Sequence, residues 1–179
     1  MKLEVLWPGK TRGAEIKSLQ LAYTEKIKRL AKFRLIETKE ARGIDEMNHR
    51  KILEIETEGL EKHLDRDYII CLSNEGKEID SGQMAEMLKK KALNYPYPVS
   101  FVAGGFLGLS SKLLNRVDFV LSLSKMTFSH ELIRIILLEQ IYRSLMTWII
   151  HKPRLLQMRG TGCEAVVLHR EYPVTKQMP

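Results

Sequence analysis

Apolar positions along this chain alternate between two spacings. Short segments are apolar at nearly every residue or at every second one, as β-strands are, and longer segments repeat apolar residues at intervals of three and four, as amphipathic helices do. This alternation predicts an α/β fold with a mostly parallel sheet covered by helices on both faces. The predicted strands are 2–7, 33–38, 68–72, 99–104 and 118–123, and the predicted helices are 14–31, 44–64, 81–93, 110–116 and 130–150.

Local signals complete this outline. Residues 73–77 are rich in turn-forming types and predict a turn, and Ser81 is a suitable N-cap for the helix that follows. From residue 152 onward no period is visible, so we predict one domain over residues 1–151 and a poorly ordered tail over 152–179. The first helix is predicted to bury one apolar side, formed by Ile16, Leu19, Leu21, Tyr23, Ile27 and Leu30.

Two strand ends open into loops that suit a ligand. The fourth strand runs into a glycine turn, residues 104–108, and the fifth runs into a hydroxyl-rich loop, residues 122–129. Ligands in open α/β sheets bind at the carboxyl ends of strands, so the two loops predict a cleft. The glycines also fit a tight turn that needs positive φ, and Thr127 or Ser129 also fits a helix N-cap. The glycine spacing is not G-x-G-x-x-G, which argues against a nicotinamide oxidoreductase.

The last predicted helix is apolar on more than one face. It should therefore be buried on two sides, and a homodimer contact is the economical explanation. Glu139 and Arg143 stand four residues apart in the orientation that forms an ion pair. Charged residues interrupt the apolar run 132–150, so we predict no membrane span.

Charge and cysteine content narrow the class of protein. The formal net charge is +7, and the excess of Lys and Arg lies in residues 1–43 and 96–179, which suits a phosphate backbone. Cys71 and Cys163 form no paired motif, and no apolar leader follows a basic amino terminus, so we predict a reduced, cytoplasmic protein. The five histidines have no metal-ligand spacing, and no metal site is predicted.

Several stretches carry a family resemblance. The segments FVAGGFLGLS and LSLSKMTFSHELIRIILLEQIYRS, with MKLEVLWPGK at the start and LSNEGK after the third strand, resemble a bacterial family of SPOUT-class methyltransferases. This family, RlmH, modifies N3 of a pseudouridine in large-subunit (23S) rRNA. The resemblance covers roughly residues 1–151.

The resemblance implies a fold, a cofactor and a set of site residues. The carboxyl-terminal part would form a deep trefoil knot, the protein would be a homodimer, and S-adenosylmethionine would lie in the knot. His151 is the candidate catalytic residue, and His130, Arg143 and Arg154 are candidates for RNA contact. The cofactor contacts carried over from the family are Leu72, Gly104, Gly105, Ser124, Lys125, Met126, Thr127, Phe128 and Ser129.

The chain departs from the family pattern in two places. Phe106 and Ser129 stand where the family commonly has proline. After His151 the sequence continues Lys152-Pro153-Arg154, so only His151 is carried over from the family's His-Pro-Tyr-His-like ending. The leading hypothesis is methylation of N3 of a pseudouridine in 23S rRNA of the assembled ribosome. The alternatives are an RNA- or ribosome-associated binding module that keeps the cofactor pocket without activity, and a methyltransferase acting on transfer RNA.

Overall fold

Strands and helices alternate through the described part of the chain. The computed structural model describes residues 1–150, and their order confirms the predicted α/β alternation. The strands are β1 (Lys2–Pro8), β2 (Lys32–Thr38), β3 (Tyr68–Glu78), β4 (Val99–Val102) and β5 (Phe119–Ser122), and the helices are α1 (Ala14–Lys28), α2 (His49–Glu61), α3 (Ser81–Asn94), α4 (Ser111–Leu114) and α5 (His130–Ile150).

The strands form one sheet in the order β2-β1-β4-β3-β5, and every neighbouring pair is parallel. Alternate side chains of a strand point to opposite faces. Leu3 and Val5 of β1 therefore join the core beneath α1, α3 and α5, whereas Leu6 packs with Leu60 of α2 and Leu113 of α4. The prediction of a parallel sheet with helices on both faces is confirmed, and the trefoil knot stays a prediction.

Helix α5 is apolar on more than one face because it packs against both α1 and α3 and also against the sheet. Leu137, Leu138 and Ile141 are fully buried by these neighbours. Both apolar sides of α5 are thus buried within one chain. The apolar pattern of α5 is therefore no evidence for a homodimer.

The apolar side predicted for α1 is wrong in part. Leu19 and Leu21 are 47% and 56% exposed, and the side chains that face the protein are Gln20, Thr24 and Ile27. The helix is rotated because Gln20 has a polar partner inside: its Oε1 accepts a hydrogen bond of 2.5 Å from the hydroxyl of Thr11. Gln20, which has a hydrogen-bond partner, thus occupies an inward position that a purely apolar criterion assigns to leucine.

Two further local predictions are corrected. The turn predicted at 73–77 lies inside β3, which continues to Glu78 because residues on both sides of 73–76 pair with β5. The N-cap of α3 is Asp80 rather than Ser81. The Asp80 carboxylate accepts from the amide of Gln83, and the Gln83 side chain accepts from the amide of Asp80, which completes a capping box. The predicted tail, 152–179, lies outside the described residues.

Candidate active site at the carboxyl edge of the sheet

Three neighbouring strands bring most of the predicted cofactor residues to one edge. The sheet order places β4, β3 and β5 side by side, so their carboxyl ends are adjacent. Leu72 lies in β3 opposite Leu121 of β5, Gly104 follows β4, and the loop 123–129 follows β5. Residues separated by more than 50 positions in the sequence are thereby collected at a single edge.

An excursion of β3 shapes this edge. Leu72 and Lys77 both pair with Leu121, so residues 73–76 leave the ladder and return to it. Gly76 packs directly on the backbone of β5: a Cβ there would lie 2.7 Å from the carbonyl carbon of Leu121 and 2.9 Å from the amide nitrogen of Ser122. Only glycine fits this position. The sequence analysis did not single out Gly76.

Lys125 connects the excursion to the loop after β5. Its Nζ donates to the carbonyl oxygens of Asn74, at 2.9 Å, and Gly76, at 3.3 Å. An ammonium group that bridges two main-chain carbonyls fixes both segments, since charge-assisted hydrogen bonds are stronger than neutral ones. Lys125 therefore organises the edge through the backbone.

The loop 123–129 is also held by its own hydroxyl groups. Ser122 Oγ donates to the carbonyl of Ser124 at 3.1 Å, and Ser124 Oγ accepts from the amide of Met126 at 3.0 Å. The side chain of Met126 is 73% exposed, although it is a large apolar group. The loop thus holds an apolar side chain in solvent at the carboxyl edge.

The glycine turn is close-packed for reasons internal to the chain. A Cβ on Gly104 would overlap the backbone of Gly108 and lie 2.7 Å from its Cα. The turn closes through a hydrogen bond of 3.1 Å from the Gly108 amide to the Gly105 carbonyl. The positive φ predicted for this turn is confirmed at Gly108, at 77°. Gly104 is required by close approach and Gly108 by its backbone conformation.

Glu56 lies beneath this turn and was missed by the sequence analysis. A Cβ on Gly105 would lie 2.7 Å from Oε2 of Glu56. Glu56 is buried, with only 5% of its surface exposed. Among the described residues, this Oε2 has no hydrogen-bond partner. Burial raises the pKa of Glu56, against the opposing effects of the Ala41 amide and the Arg134 charge. The signal was available, because Glu56 takes the central position of the apolar stripe Ile52, Glu56, Leu60.

Arg134 is a second buried charge that the sequence analysis did not single out. Its guanidinium donates to the carbonyl oxygens of Pro8, at 2.6 Å, and Gly9, and to the hydroxyl of Thr11, at 3.2 Å. It also lies 5.0 Å from the ring of Trp7. Burial lowers the pKa of Arg134, and nearby carboxylates oppose this effect. The side chain fastens the loop after β1 to the first turns of α5.

The candidates for RNA contact are spread along α5. Ser129 caps this helix, as predicted, by accepting from the amide of Leu132 at 3.3 Å, and His130 is exposed at its first turn. Arg143 is exposed and forms the predicted ion pair with Glu139, at 2.5 Å. His130 and Arg143 stand about 20 Å apart along the helix axis, so one chain does not bring them together. His151 and Arg154 lie outside the described residues.

A family model described as "Predicted SPOUT methyltransferase" matches residues 1–152 of this chain. The chain belongs to the SPOUT methyltransferase family. It is therefore a methyltransferase, and the predicted cofactor, S-adenosylmethionine, is confirmed as the methyl donor of this family.

Curated relatives agree with the SPOUT assignment. The ribosomal RNA large subunit methyltransferase H of Streptococcus pneumoniae is 37% identical over 148 residues, which are 80% of this chain and 93% of the relative. A relative from Methanococcus vannielii has the same identity and coverage. The suggested RlmH resemblance is thereby confirmed at the level of the family.

Solved structures of other methyltransferases are more distant. A probable methylase family protein from Haemophilus influenzae is 14% identical, with a TM-score of 0.49, and the match covers 89% of this chain and 72% of that one. A probable methyltransferase from Bordetella pertussis is 11% identical, with a TM-score of 0.49, over 80% of this chain and 95% of that one.

Metal-ligand clusters and membrane-spanning helices are both absent from the described residues. Residues 1–150 contain no group of three or more His, Cys, Asp or Glu side chains placed to hold a metal ion. Over the same range, no helix has the length and apolar character needed to cross a bilayer.

Proposed function

We propose that this SPOUT methyltransferase transfers the methyl group of S-adenosylmethionine to N3 of a pseudouridine in the large-subunit rRNA of the assembled ribosome. The large-subunit target rests on the relatives named ribosomal RNA large subunit methyltransferase H. The observation that carries the proposal is the carboxyl edge itself, where the glycine turn, the β3 excursion and the loop 123–129 adjoin and Lys125 joins two of them.

The residues at this edge fit S-adenosylmethionine. Exposed Met126 and Phe106 offer apolar surface at the two loops, and a large apolar side chain in solvent is accounted for when a ligand covers it. Gly104 and Gly105 are partly exposed in the glycine turn, and neither adds a side chain to it. The residues that would hold the cofactor are Leu72, Gly104, Gly105, Ser124, Lys125, Met126, Thr127, Phe128 and Ser129.

The bound cofactor supplies an electrophilic methyl group. The chain supplies alignment, because a transfer between two bound partners gains most from holding the donor carbon and the acceptor nitrogen in register. In this proposal Lys125 keeps the β3 excursion and the loop 123–129 fixed relative to each other. The N3 proton must leave the base, and His151 is the candidate for accepting it.

We further propose that the protein acts as a homodimer. Support comes from apolar side chains exposed on two helices that pack together, Leu21 on α1 and Leu132 and Ile149 on α5. A second copy that covers them would remove this surface from water. Light scattering of the purified protein tests this, and Leu21→Asp should convert the dimer into a monomer. A monomer at all concentrations in the unmodified chain would contradict the proposal.

Domain limits, location and RNA contacts complete the proposal. Residues 1–151 would form the methyltransferase domain, with 152–179 outside it, and the protein would act in the cytoplasm on ribosomes. His130, Arg143 and Arg154 would contact the RNA. Because His130 and Arg143 lie far apart along α5, a broad RNA surface, such as a ribosome offers, fits them better than a single nucleotide does.

The experiment is transfer of a labelled methyl group from S-adenosylmethionine to ribosomes that lack this modification. We expect label at a large-subunit pseudouridine in intact ribosomes, with much less in free subunits and transfer RNA. Lys125→Met should reduce labelling, whereas Lys112→Met, which removes an exposed lysine on α4, should leave it unchanged. Absence of label in a protein that still binds the cofactor would contradict the proposal and favour a binding module. Label in transfer RNA would show that transfer RNA, and not large-subunit rRNA, is the substrate.

A further inference from the structure

A basic cavity opens at the edge of the sheet opposite the candidate active site. It has a volume of about 810 Å³ and lies between the amino ends of β1, β2 and β4 and the carboxyl ends of α1 and α3. The seven residues of β1 separate the two edges by roughly 20 Å. A ligand in this cavity therefore does not touch the glycine turn or the loop 123–129.

Positive charge predominates in the wall of this cavity. No Asp or Glu of residues 1–150 contributes to its wall. Lys2 and Lys32 stand directly opposite each other in the β1–β2 register, an arrangement that is unfavourable for two like charges. The five cationic side chains of the wall are Lys2, Lys28, Arg29, Lys32 and Lys91.

Two of these cations contact neighbouring side chains, and the other three, one of them at the C-cap of α1, do not within the described part of the chain. Lys28 pairs with Glu25 at 2.9 Å, and Lys91 lies 3.5 Å from the ring centre of Tyr68. Both also lie in the last turn of a helix, where a cation stabilises the helix dipole. In contrast, the side chains of Lys2, Arg29 and Lys32 make no hydrogen bond or ion pair with residues 1–150.

Aromatic rings line the same cavity. Tyr95 and Tyr97 contact each other edge to face, with ring centres 5.7 Å apart, and Phe33 adds a third ring. Tyr97 is exposed. Cations beside accessible rings form the surface on which single-stranded nucleic acids bind, because phosphates pair with the cations and unstacked bases pack on the rings.

We propose that this cavity binds a single-stranded segment of the RNA substrate, with phosphates on Lys2, Arg29 and Lys32 and a base against Tyr97. The proposal rests on the proposed function for the identity of the RNA. A duplex is a poorer fit, since its bases are stacked and cannot reach a side-chain ring. A second copy of this chain is also disfavoured, since a two-fold contact would place one set of cations against the other. The site strengthens binding of an extended RNA without contacting the methyl group.

The test compares two triple variants with the same loss of charge. The first, Lys2→Gln with Arg29→Gln and Lys32→Gln, empties the cavity of its unpaired cations. The control, Lys17→Gln with Lys62→Gln and Lys112→Gln, removes three exposed lysines elsewhere. Binding is measured by fluorescence anisotropy with an unstructured RNA of about 12 nucleotides over a range of salt concentrations.

We expect the cavity variant to bind this RNA at least tenfold more weakly and the control to change less than threefold. The slope of log Kd against log salt should fall by about 2 in the cavity variant, because three phosphate contacts are lost. Tyr97→Ala should weaken binding about tenfold, and Tyr97→Phe, which keeps the ring, should not. Equal losses in both triple variants, or an unchanged salt slope, would overturn the proposal.

Two further readouts separate this proposal from the proposed function. The cavity variant should melt at or above the temperature of the unmodified chain, because it removes the Lys2–Lys32 repulsion. All variants should bind S-adenosylmethionine with unchanged affinity, since the cavity is remote from the cofactor edge. On ribosomes, the cavity variant should raise KM and leave kcat unchanged. If the cavity variant alone loses RNA binding while the unmodified chain does not methylate ribosomes, RNA binding in the cavity is supported and the proposed large-subunit rRNA target is contradicted. Tighter binding of an acidic peptide than of RNA would overturn the RNA assignment.

Discussion

β1 and β2 pair in an unbroken parallel register over seven residues, from Lys2 opposite Lys32 to Pro8 opposite Thr38. β3 and β5 pair over three residues, lose the register for residues 73–76, and regain it at Lys77. In the regular pair, the ladder and the buried side chains hold the backbone in place. In the irregular pair, the backbone outside the ladder depends on single groups, namely Gly76, Lys125 and the hydroxyl of Ser124.

This difference indicates that the irregular pair, β3 with β5, is the part of the sheet suited to a ligand site. A ligand site needs main-chain groups and small residues free of the ladder, and such a segment has few redundant contacts. We therefore expect single substitutions in the irregular pair to have larger effects than equivalent substitutions in the regular pair. The proposed cofactor residues are concentrated in and beside the irregular pair.

The largest effect is expected from Gly76→Ala. The added Cβ meets the backbone of β5, which cannot move aside, so we expect a loss of about 3 kcal/mol in the free energy of unfolding and no measurable cofactor binding. Urea titration and calorimetric titration with S-adenosylmethionine measure both. Gly13→Ala is the control: its Cβ would have only ordinary contacts, at 3.5 Å, and the expected cost is about 1 kcal/mol, because Gly13 is the N-cap of α1 and alanine is less favourable there than glycine. Equal losses of stability and cofactor binding from Gly76→Ala and Gly13→Ala would contradict the importance of the close packing of Gly76 on β5.

Lys125→Met should come next. It keeps the length of the side chain and removes the two hydrogen bonds to Asn74 and Gly76. Because these bonds fix the excursion and the loop relative to each other, we expect the Kd for S-adenosylmethionine to rise about tenfold, which corresponds to about 1.4 kcal/mol. Unchanged cofactor affinity would show that the excursion holds its position without Lys125.

Glu56 lies beneath the glycine turn, and the effect of Glu56→Gln on stability should depend on pH. Burial raises the pKa of Glu56 in the folded chain above its usual 4.5. Its contribution to stability is therefore fully present below pH 4.5 and is lost as the pH rises through the folded pKa. The variant has no carboxyl group to ionise, so its stability relative to the unmodified chain should increase as the pH rises through that interval. Urea titrations of both proteins from pH 4 to 8 test this, and a constant difference would contradict it.

The smallest effect is expected from Arg34→Met in the regular pair. Arg34 donates to Glu4 across β1 and β2 at 2.8 Å, and its side chain is mostly exposed. The side chain of Glu4 is only 11% exposed, so the variant leaves a largely buried carboxylate without this partner, at a cost of about 1 kcal/mol. We expect a small loss of stability and no change in cofactor affinity. A loss of cofactor binding from this position would show that the two halves of the sheet are coupled.

Part of the candidate site could be predicted from the sequence because its signals are local. The glycine turn, the hydroxyl-rich loop and the Ser129 cap each depend on residues near one another in the chain, and the structure places the two loops at the expected carboxyl edge. Arg134 was missed because its role depends on distant partners such as the carbonyl of Pro8, whereas the position of Glu56 in an apolar stripe was a local signal of burial.

The class of this fold, the order of its strands and helices and its family follow from the sequence alone, since periodicity and contiguous motifs are properties of neighbouring residues. The full length of β3 does not, because residues 73–77 have the composition of a turn. Tertiary structure alone decided that Leu121 pairs with both Leu72 and Lys77, that Lys125 reaches across to the β3 excursion, and that five cations converge on one cavity. These features join residues from different strands and helices, and their separation is fixed only when the sheet assembles.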